Sequence, residues 1–297
     1  MRQESHAGQG EQARGCASAE ISGRSENLRA AEPRTFATTP TRSRIFISGS
    51  STGLGLMAAQ LLGEQDHRVV LHARDRERAA SLRSEMPTAE AIVEGDLSTV
   101  AGARHVADQV NRLGRFDAVI HNAAVGYREG RRRVTHDGLS HVFATNTLAP
   151  YILTALIEKP SRLIYLSSSM HHDADAELED ITWSRRRWRG WKAYAETKLH
   201  DVLLAFAVAR LWPDVCSNAV DPGWVPTRMG GPGAPDDLDQ AHRTQAWLAV
   251  SDDPDARVTS EYFYQMRPHK VSPAARDPVL QDGLIATCER LSGVRLT

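Results

Sequence analysis

The chain has only three cysteines, Cys16, Cys216 and Cys288, among 297 residues, and none stands in a Cys-x-x-Cys pair. So sparse and odd a set of thiols argues against a disulfide framework and a structural zinc site. It fits a reducing compartment, so a cytoplasmic location and no metal are expected. An excess of charge of one sign is also missing, since 36 Lys and Arg face 37 Asp and Glu. Without a net field the chain has no broad means of holding a nucleic-acid backbone or an anionic membrane. Long apolar runs are absent too: the stretch 203–209 falls far short of the roughly 20 residues that cross a bilayer.

Residues 1–43 lack any sustained hydrophobic period and are rich in Ser, Thr, Ala, Gly, Arg and Glu. They are predicted to be a disordered extension, removable without loss of the rest. Their Arg and Ser content is similar to that of an organelle presequence. Glu4, Glu11, Glu20, Glu26 and Glu32 contradict the acid-poor composition such peptides need.

From Arg44 onward, short β-branched runs alternate with amphipathic stretches, the pattern of βα units wound about a parallel sheet. The predicted strands are 45–47, 68–73, 91–94, 118–121, 162–166, 216–220 and 258–263, and a last helix spans 278–291. Strands covered on both faces read as continuous apolar runs, as these do, and right-handed crossovers join them. The expected fold class is α/β: one doubly wound Rossmann domain over 44–297, with a parallel sheet of about seven strands and helices on both faces.

A strand-to-helix turn is where a dinucleotide pyrophosphate docks, because free N–H groups and the helix dipole face the anion. Gly49, Gly53 and Gly55 have the spacing Gly-x3-Gly-x-Gly directly after the first strand. By itself the pattern also fits a glycine-rich turn without a ligand. The second strand ends in Ala73-Arg74-Asp75, at the position where an NAD-selective protein sets a carboxylate on the ribose. A basic Arg74 there favours a 2′-phosphate, so NADP(H) is expected over NAD(H). Thr52, just before the middle glycine, is not the second basic residue often found there in NADP enzymes. Asp96 follows the third strand and either accepts from an adenine amino group or begins a capped turn.

Tyr194 and Lys198 stand at spacing i, i+4 in an Ala- and Leu-rich helical segment, which puts phenol and ammonium on one face. A free phenol, with a pKa of about 10, exchanges protons poorly at neutral pH. A neighbouring ammonium favours phenolate and so makes Tyr194 a candidate acid/base.

These features occur in one order with Asp96, 121-His-Asn-Ala-Ala-124, Asn146, 167-Ser-Ser-Ser-169 and 221-Asp-Pro-Gly-223. The set resembles the short-chain dehydrogenase/reductase family over nearly all of 44–297, and is most similar to its retinol-dehydrogenase-like and carbonyl-reductase members, which share a Trp-x-Ala-Tyr lead-in. The resemblance implies that Tyr194 gives the proton to a carbonyl and that Lys198 binds the nicotinamide ribose and lowers the tyrosine pKa. It further implies that Ser168 holds the substrate oxygen and that Asn146 anchors a relay water. Among the three serines the register with His171 and His172 selects Ser168, with Ser167 and Ser169 left open. The cofactor would rest on Gly49, Ser51, Thr52, Gly53, Leu54, Gly55, Arg74, Asp96, Leu97, Asn122, Ala123, Ala124, Tyr194 and Lys198. On its other side it would meet Pro222, Gly223, Val225 and Thr227, in a Gly- and Pro-rich segment that orders on ligand binding. Ala124 replaces the family's glycine, so a small Cβ must fit there, and Thr197 replaces its serine.

The implied activity interconverts a carbonyl and an alcohol by hydride transfer on a small-molecule substrate, with a homo-oligomer left open. A catalytically idle NADP-binding sensor would have lost Tyr194, Lys198 or the serine, and all are present. A sugar-nucleotide epimerase or dehydratase needs a larger C-terminal domain than the roughly 75 residues after Pro222. Arg185 to Arg187 interleave with Trp183, Trp188 and Trp191, as in a single-strand nucleic-acid platform, but preceding acids balance them. A pocket wall or subunit contact is the preferred reading. His171 and His172 are adjacent, and adjacent side chains diverge on regular backbone, so a metal pair is not expected.

Overall fold

The structure, a computed structural model, describes residues 42–297. The expectation for the N-terminal extension therefore falls outside the described residues, apart from its last two. The strands are β1 (Arg44–Ile47), β2 (Arg68–Ala73), β3 (Ala91–Glu94), β4 (Ala118–His121), β5 (Arg162–Leu166), β6 (Cys216–Asp221), β7 (Tyr262–Tyr264) and β8 (Arg267–Pro268). They form one sheet in the order β3-β2-β1-β4-β5-β6-β7-β8, parallel throughout except for the β7–β8 pair. The order reverses beside β1, where the chain crosses from β3 to β4, and ligands of open α/β sheets bind outside the strand ends at such a switch point.

Successive residues of a strand face opposite sides, and here both sides are apolar. Ile45 and Ile47 of β1 point into one core with α1 (Gly53–Glu64) and α2 (Arg76–Glu85), where Ala58, Leu62 and Leu82 meet Val69, Leu71 and Ile120. Phe46 points into the other, beneath α3 (Val100–Arg112), where Val106 and Val110 meet Val70 and Val119. The next helical run comprises α4 (His141–Phe143), a π turn at Ala144–Leu148 and α5 (Ala149–Leu156). After it come α6 (Gly190–Leu211), α7 (Leu238–Ala241), α8 (Arg243–Val250) and α9 (Pro278–Ser292). Trp247 of α8 closes the first core, and Leu203 of α6 with Leu284 of α9 fills the second.

Two departures from the sequence reading have local causes. The last predicted strand, 258–263, is shorter and displaced to Tyr262–Tyr264. Ser260 breaks it with φ of 61°, a left-handed value that an extended run cannot contain. The two-residue turn after β7 places Gln265 and Met266 at φ 48° and 58° and returns the chain as β8. A type I′ hairpin turn needs positive φ at both central residues, a job usually given to Asn-Gly, so Gln-Met carried no sequence signal.

Candidate active site

A cleft of about 970 Å³ opens along the strand ends at the switch point. One wall is the turn after β1. Gly49 (φ 62°) packs so close that a Cβ there would lie 2.5 Å from Ala123 Cα, whereas Gly53 (φ 60°) faces open space with nothing within 4 Å of its own Cβ position. The first glycine thus lets the turn touch the end of β4, and the second keeps the floor clear. Ser48 ties these segments together, its Oγ accepting from the N–H groups of Asn122 and Ala123, while Asn122 Nδ2 donates to the carbonyls of Ser48 and Gly49. α1 begins at Gly53, and its N-cap residue Thr52 makes no side-chain capping bond. The first N–H groups of α1 are therefore left to an external acceptor, the arrangement that holds a pyrophosphate.

His72, noticed in the sequence only as a strand residue, holds this turn from below. Its Nδ1 accepts from Gly49 N–H at 3.0 Å and its Nε2 donates to the Gly95 carbonyl at 2.9 Å. Burial depresses its pKa to about 4, against the raising effect of the Gly95 bond, which keeps the ring neutral in that tautomer.

Ser51, Thr52, Gly53, Leu54, Arg74, Asp96, Leu97, Asn122, Ala123 and Ala124 face the cleft with Gly49, and Gly55 stays behind the turn against Asn122. Arg74 is largely exposed, and among the described residues it is tied only to Asp75, at 3.4 Å, so its guanidinium can turn to a ligand. Asp96 lines the cleft, and its Oδ1 accepts from Ser98 N–H at 2.9 Å, while Thr99 caps α3. These residues fit a dinucleotide: an open glycine floor, an uncapped helix start and a basic group beyond the second strand.

The opposite wall is α6, whose residues from Ala193 to Ala209 are all buried. Tyr194 and Lys198 reach the cleft from it, with the Lys198 ammonium 5.5 Å from the centre of the Tyr194 ring. Burial raises the Tyr194 pKa; Lys198 opposes this, and Asp201 and Asp221 add to it. Lys198 Nζ donates to the Leu166 carbonyl at 2.7 Å and to Asp201 Oδ2 at 2.8 Å. Burial works against its charge, but Asp201, Tyr194 and Asp221 outweigh it and hold its pKa above the usual value. Neither buried carboxylate was noticed as chemistry in the sequence. Asp201 sits on a helix with no polar face to betray it, and Asp221 had been read only as part of a turn motif.

Asn146 lies in the π turn, where it brackets the loop after β4. Its Oδ1 accepts from Val125 N–H at 2.8 Å, and its Nδ2 donates to the Val125 carbonyl at 3.0 Å and to Thr197 Oγ1 at 3.1 Å. It is buried behind the cleft surface rather than on it. Of the serines, Ser167 lines the cleft, but its hydroxyl is committed to the Lys198 carbonyl at 2.7 Å. Ser168 is half-buried and not on the lining, its Oγ accepting from Met170 N–H at 3.3 Å. That bond leaves the Ser168 hydroxyl proton available to donate.

The loop after β6 forms the third side. Pro222 and Thr227 face the cleft, and so do Arg228 and Met229. Val225 is buried and Gly223 (φ 83°) turns against Asp236, so the structure places both behind the lining. Met229 Sδ lies 3.8 Å from Tyr194 Oη, and the Tyr127 ring meets Tyr194 edge-on at 5.7 Å. Nothing in the neighbours of Tyr127 marks it in the sequence, whereas Met229 stands in the Gly- and Pro-rich segment expected to cover the cofactor.

The Trp- and Arg-rich insertion braces α6, and Glu179, Asp180, Arg185 and Arg186 also line a small cavity apart from the main cleft. Arg186 pairs with the buried Glu196 of α6 at 2.6 Å and stacks on Trp183, whose Nε1 also donates to Glu196. Trp188 Nε1 donates to the Glu129 carbonyl at 2.7 Å and so ties the brace to the loop beyond Tyr127. Among the described residues no helix is long and apolar enough to cross a membrane.

A family model described as short chain dehydrogenase matches residues 43–162. The chain is 45% identical over 255 residues to an uncharacterised oxidoreductase of Emericella nidulans, covering 84% of this chain and 97% of that one. It is 39% identical over 261 residues to the short-chain dehydrogenase chry4 of Gibberella zeae, covering 86% and 98%. Its fold is similar to the crystal structure of an uncharacterised protein from Mycobacterium paratuberculosis, with a TM-score of 0.74 at 24% identity over 86% of this chain and 95% of that one.

Proposed function

Because the chain belongs to the short-chain dehydrogenase/reductase family of oxidoreductases, we propose that it interconverts a carbonyl and an alcohol with NADP(H), Tyr194 being the acid/base. The carrying observation is that Tyr194 and Lys198 on α6 face, across one cleft, the glycine turn and Arg74. When bound, the nicotinamide supplies the hydride that a carbonyl carbon accepts. As that carbon is reduced, its oxygen gathers negative charge, which a proton from Tyr194 Oη and a hydrogen bond from Ser168 Oγ neutralise. Ser168 is preferred over Ser167 because the Ser167 hydroxyl is spent on the Lys198 carbonyl.

Lys198 stabilises negative charge on Tyr194 and offers a donor to the cofactor ribose. Arg74, whose partner among the described residues is Asp75 in the cap of α2, favours the 2′-phosphate of NADP(H). Tyr127 and Met229 flank Tyr194, and Arg128, Glu129, Arg133 and His141 line the cleft beyond them, which suits a small organic carbonyl compound that also carries polar groups. The test is a panel of aldehydes, ketones and quinones assayed by loss of NADPH absorbance, with NADH beside it. Turnover of at least one carbonyl with NADPH is expected. No turnover of any member with either cofactor, in a protein that binds NADPH, would favour a binding role instead.

A further inference from the structure

Lys198 has three N–H donors and an unusual claim on two of them. Its Nζ and the Asp201 carboxylate are both almost wholly buried, with side chains 3% exposed, and they meet at 2.8 Å one helical turn apart. The Leu166 carbonyl takes a second donor at 2.7 Å, so one remains, on the side where Lys198 lines the cleft. Removing one partner of a buried pair leaves the other as an uncompensated charge, so the ammonium's charge depends on Asp201.

We propose that Asp201 is a positioning residue for the reaction: with the Leu166 carbonyl it fixes two N–H groups of Lys198, aims the third at the cleft and keeps the ammonium charged. This rests on the reading of Tyr194 and Lys198 given above. Other groups share the site. Tyr194 stands on the same helix, Tyr165 on β5, Asp221 on β6, Tyr262 on β7 with its hydroxyl donating to Asp221, and Tyr127 on the loop after β4. Among these the Lys198–Asp201 contact is the direct ion pair. Burial pushes the Asp201 carboxyl up to about 7, with Lys198 pulling the other way.

The experiment uses the full chain, a carbonyl substrate taken from the panel, and NADPH. Asp201→Asn keeps the shape and an acceptor oxygen but removes the charge. Lys198 then loses its proton at lower pH, and Tyr194, freed of a nearby negative charge, loses its phenol form at lower pH. Both losses impair reduction, so they act with one sign. The alkaline limb of kcat/KM is expected to fall about one pH unit or more below that of wild type. NADPH affinity, read by nucleotide fluorescence, should match wild type near pH 6.5 and be about tenfold weaker near pH 9. A merely structural residue would scale rate and affinity by one factor at every pH. Should Asp201→Asn fail to fold, Asp201→Ser, which is smaller and cannot overpack the helix, carries the same test. Profiles parallel to wild type in the folded variant would overturn the proposal. Tyr194→Phe separates the two readings: if it stays active the acid/base assignment has failed, and if it is inactive while the Asp201 profiles run parallel, only the role of Asp201 has.

Discussion

The two long walls of the cleft are built on opposite principles. The wall after β1 is made of backbone, because its glycines, the start of α1 and the bonds from Ser48, Asn122 and His72 present N–H groups and open floor. The α6 wall is made of buried side chains that control one another's charge: Tyr194, Lys198 and Asp201, with Asp221 across from them. A backbone wall tolerates any polar ligand of the right shape and is broken by adding atoms. A charge wall is broken by removing them. The same cleft therefore predicts opposite sensitivities on its two sides.

The largest effect is expected on the charge wall. Tyr194→Phe keeps the ring and its edge contact with Tyr127 but removes the acid, so turnover should fall at least about a hundredfold while folding and NADPH binding survive. Steady-state rates beside a binding titration check this. Lys198→Met should lose turnover and also weaken NADPH, unlike Tyr194→Phe.

On the backbone wall, Gly49→Ala should lower stability by more than the roughly 1–2 kcal/mol of left-handed strain, because its methyl also meets Ala123. Gly53→Ala has only the strain to bear, yet its methyl projects into the open floor. It should lose less melting temperature than Gly49→Ala and bind NADPH more weakly. Thermal melts with and without NADPH measure both, and equal behaviour of the two variants would erase the distinction between packing and ligand glycines.

A smaller change is expected at the edge between the walls. Arg74 should give NADPH about a tenfold preference over NADH, and Arg74→Asp should reverse it, as competitive binding of the two nucleotides would show. Equal affinities in the unaltered protein would remove Arg74 from the argument.

The smallest effect lies in pH. Burial holds His72 and His171 at about 4, below the ordinary value of 6.5. The unfolded chain takes up these protons first, so the neutral rings contribute stability that is complete above pH 6.5 and is lost as pH falls toward 4. The melting temperature should decline over that window, and replacing His72 by Gln should flatten the decline. His72 also joins the β1 turn to β3, so that variant should loosen NADPH as well.

Legibility in the sequence followed the range of the interactions. The strands through β6 were readable because both faces of a parallel sheet are apolar, and the glycine turn because its spacing reports a local backbone need. The Gln265-Met266 turn was not, since tertiary contacts there, including Met266 N–H donating to Thr244 Oγ1 at 3.0 Å, stabilise a conformation that the residues do not prefer. The acidic and Trp/Arg stretch before α6 reads as a wall or an interface, and its further use as a brace was not legible because Glu196, ten residues beyond Arg186, is not marked as its partner.

The sequence by itself determined the α/β class, the strand-turn-helix that suits a dinucleotide and the candidate pair Tyr194 and Lys198, since each depends on residues within a few positions of one another. Only the tertiary structure decided that the Ser167 hydroxyl is spent on Lys198, that Met229 and Tyr127 flank Tyr194, and that two carboxylates share its surroundings. Those facts depend on which groups are brought together and how deeply they are buried. Charge strength, proton affinity and donor availability are set by that environment rather than by residue type.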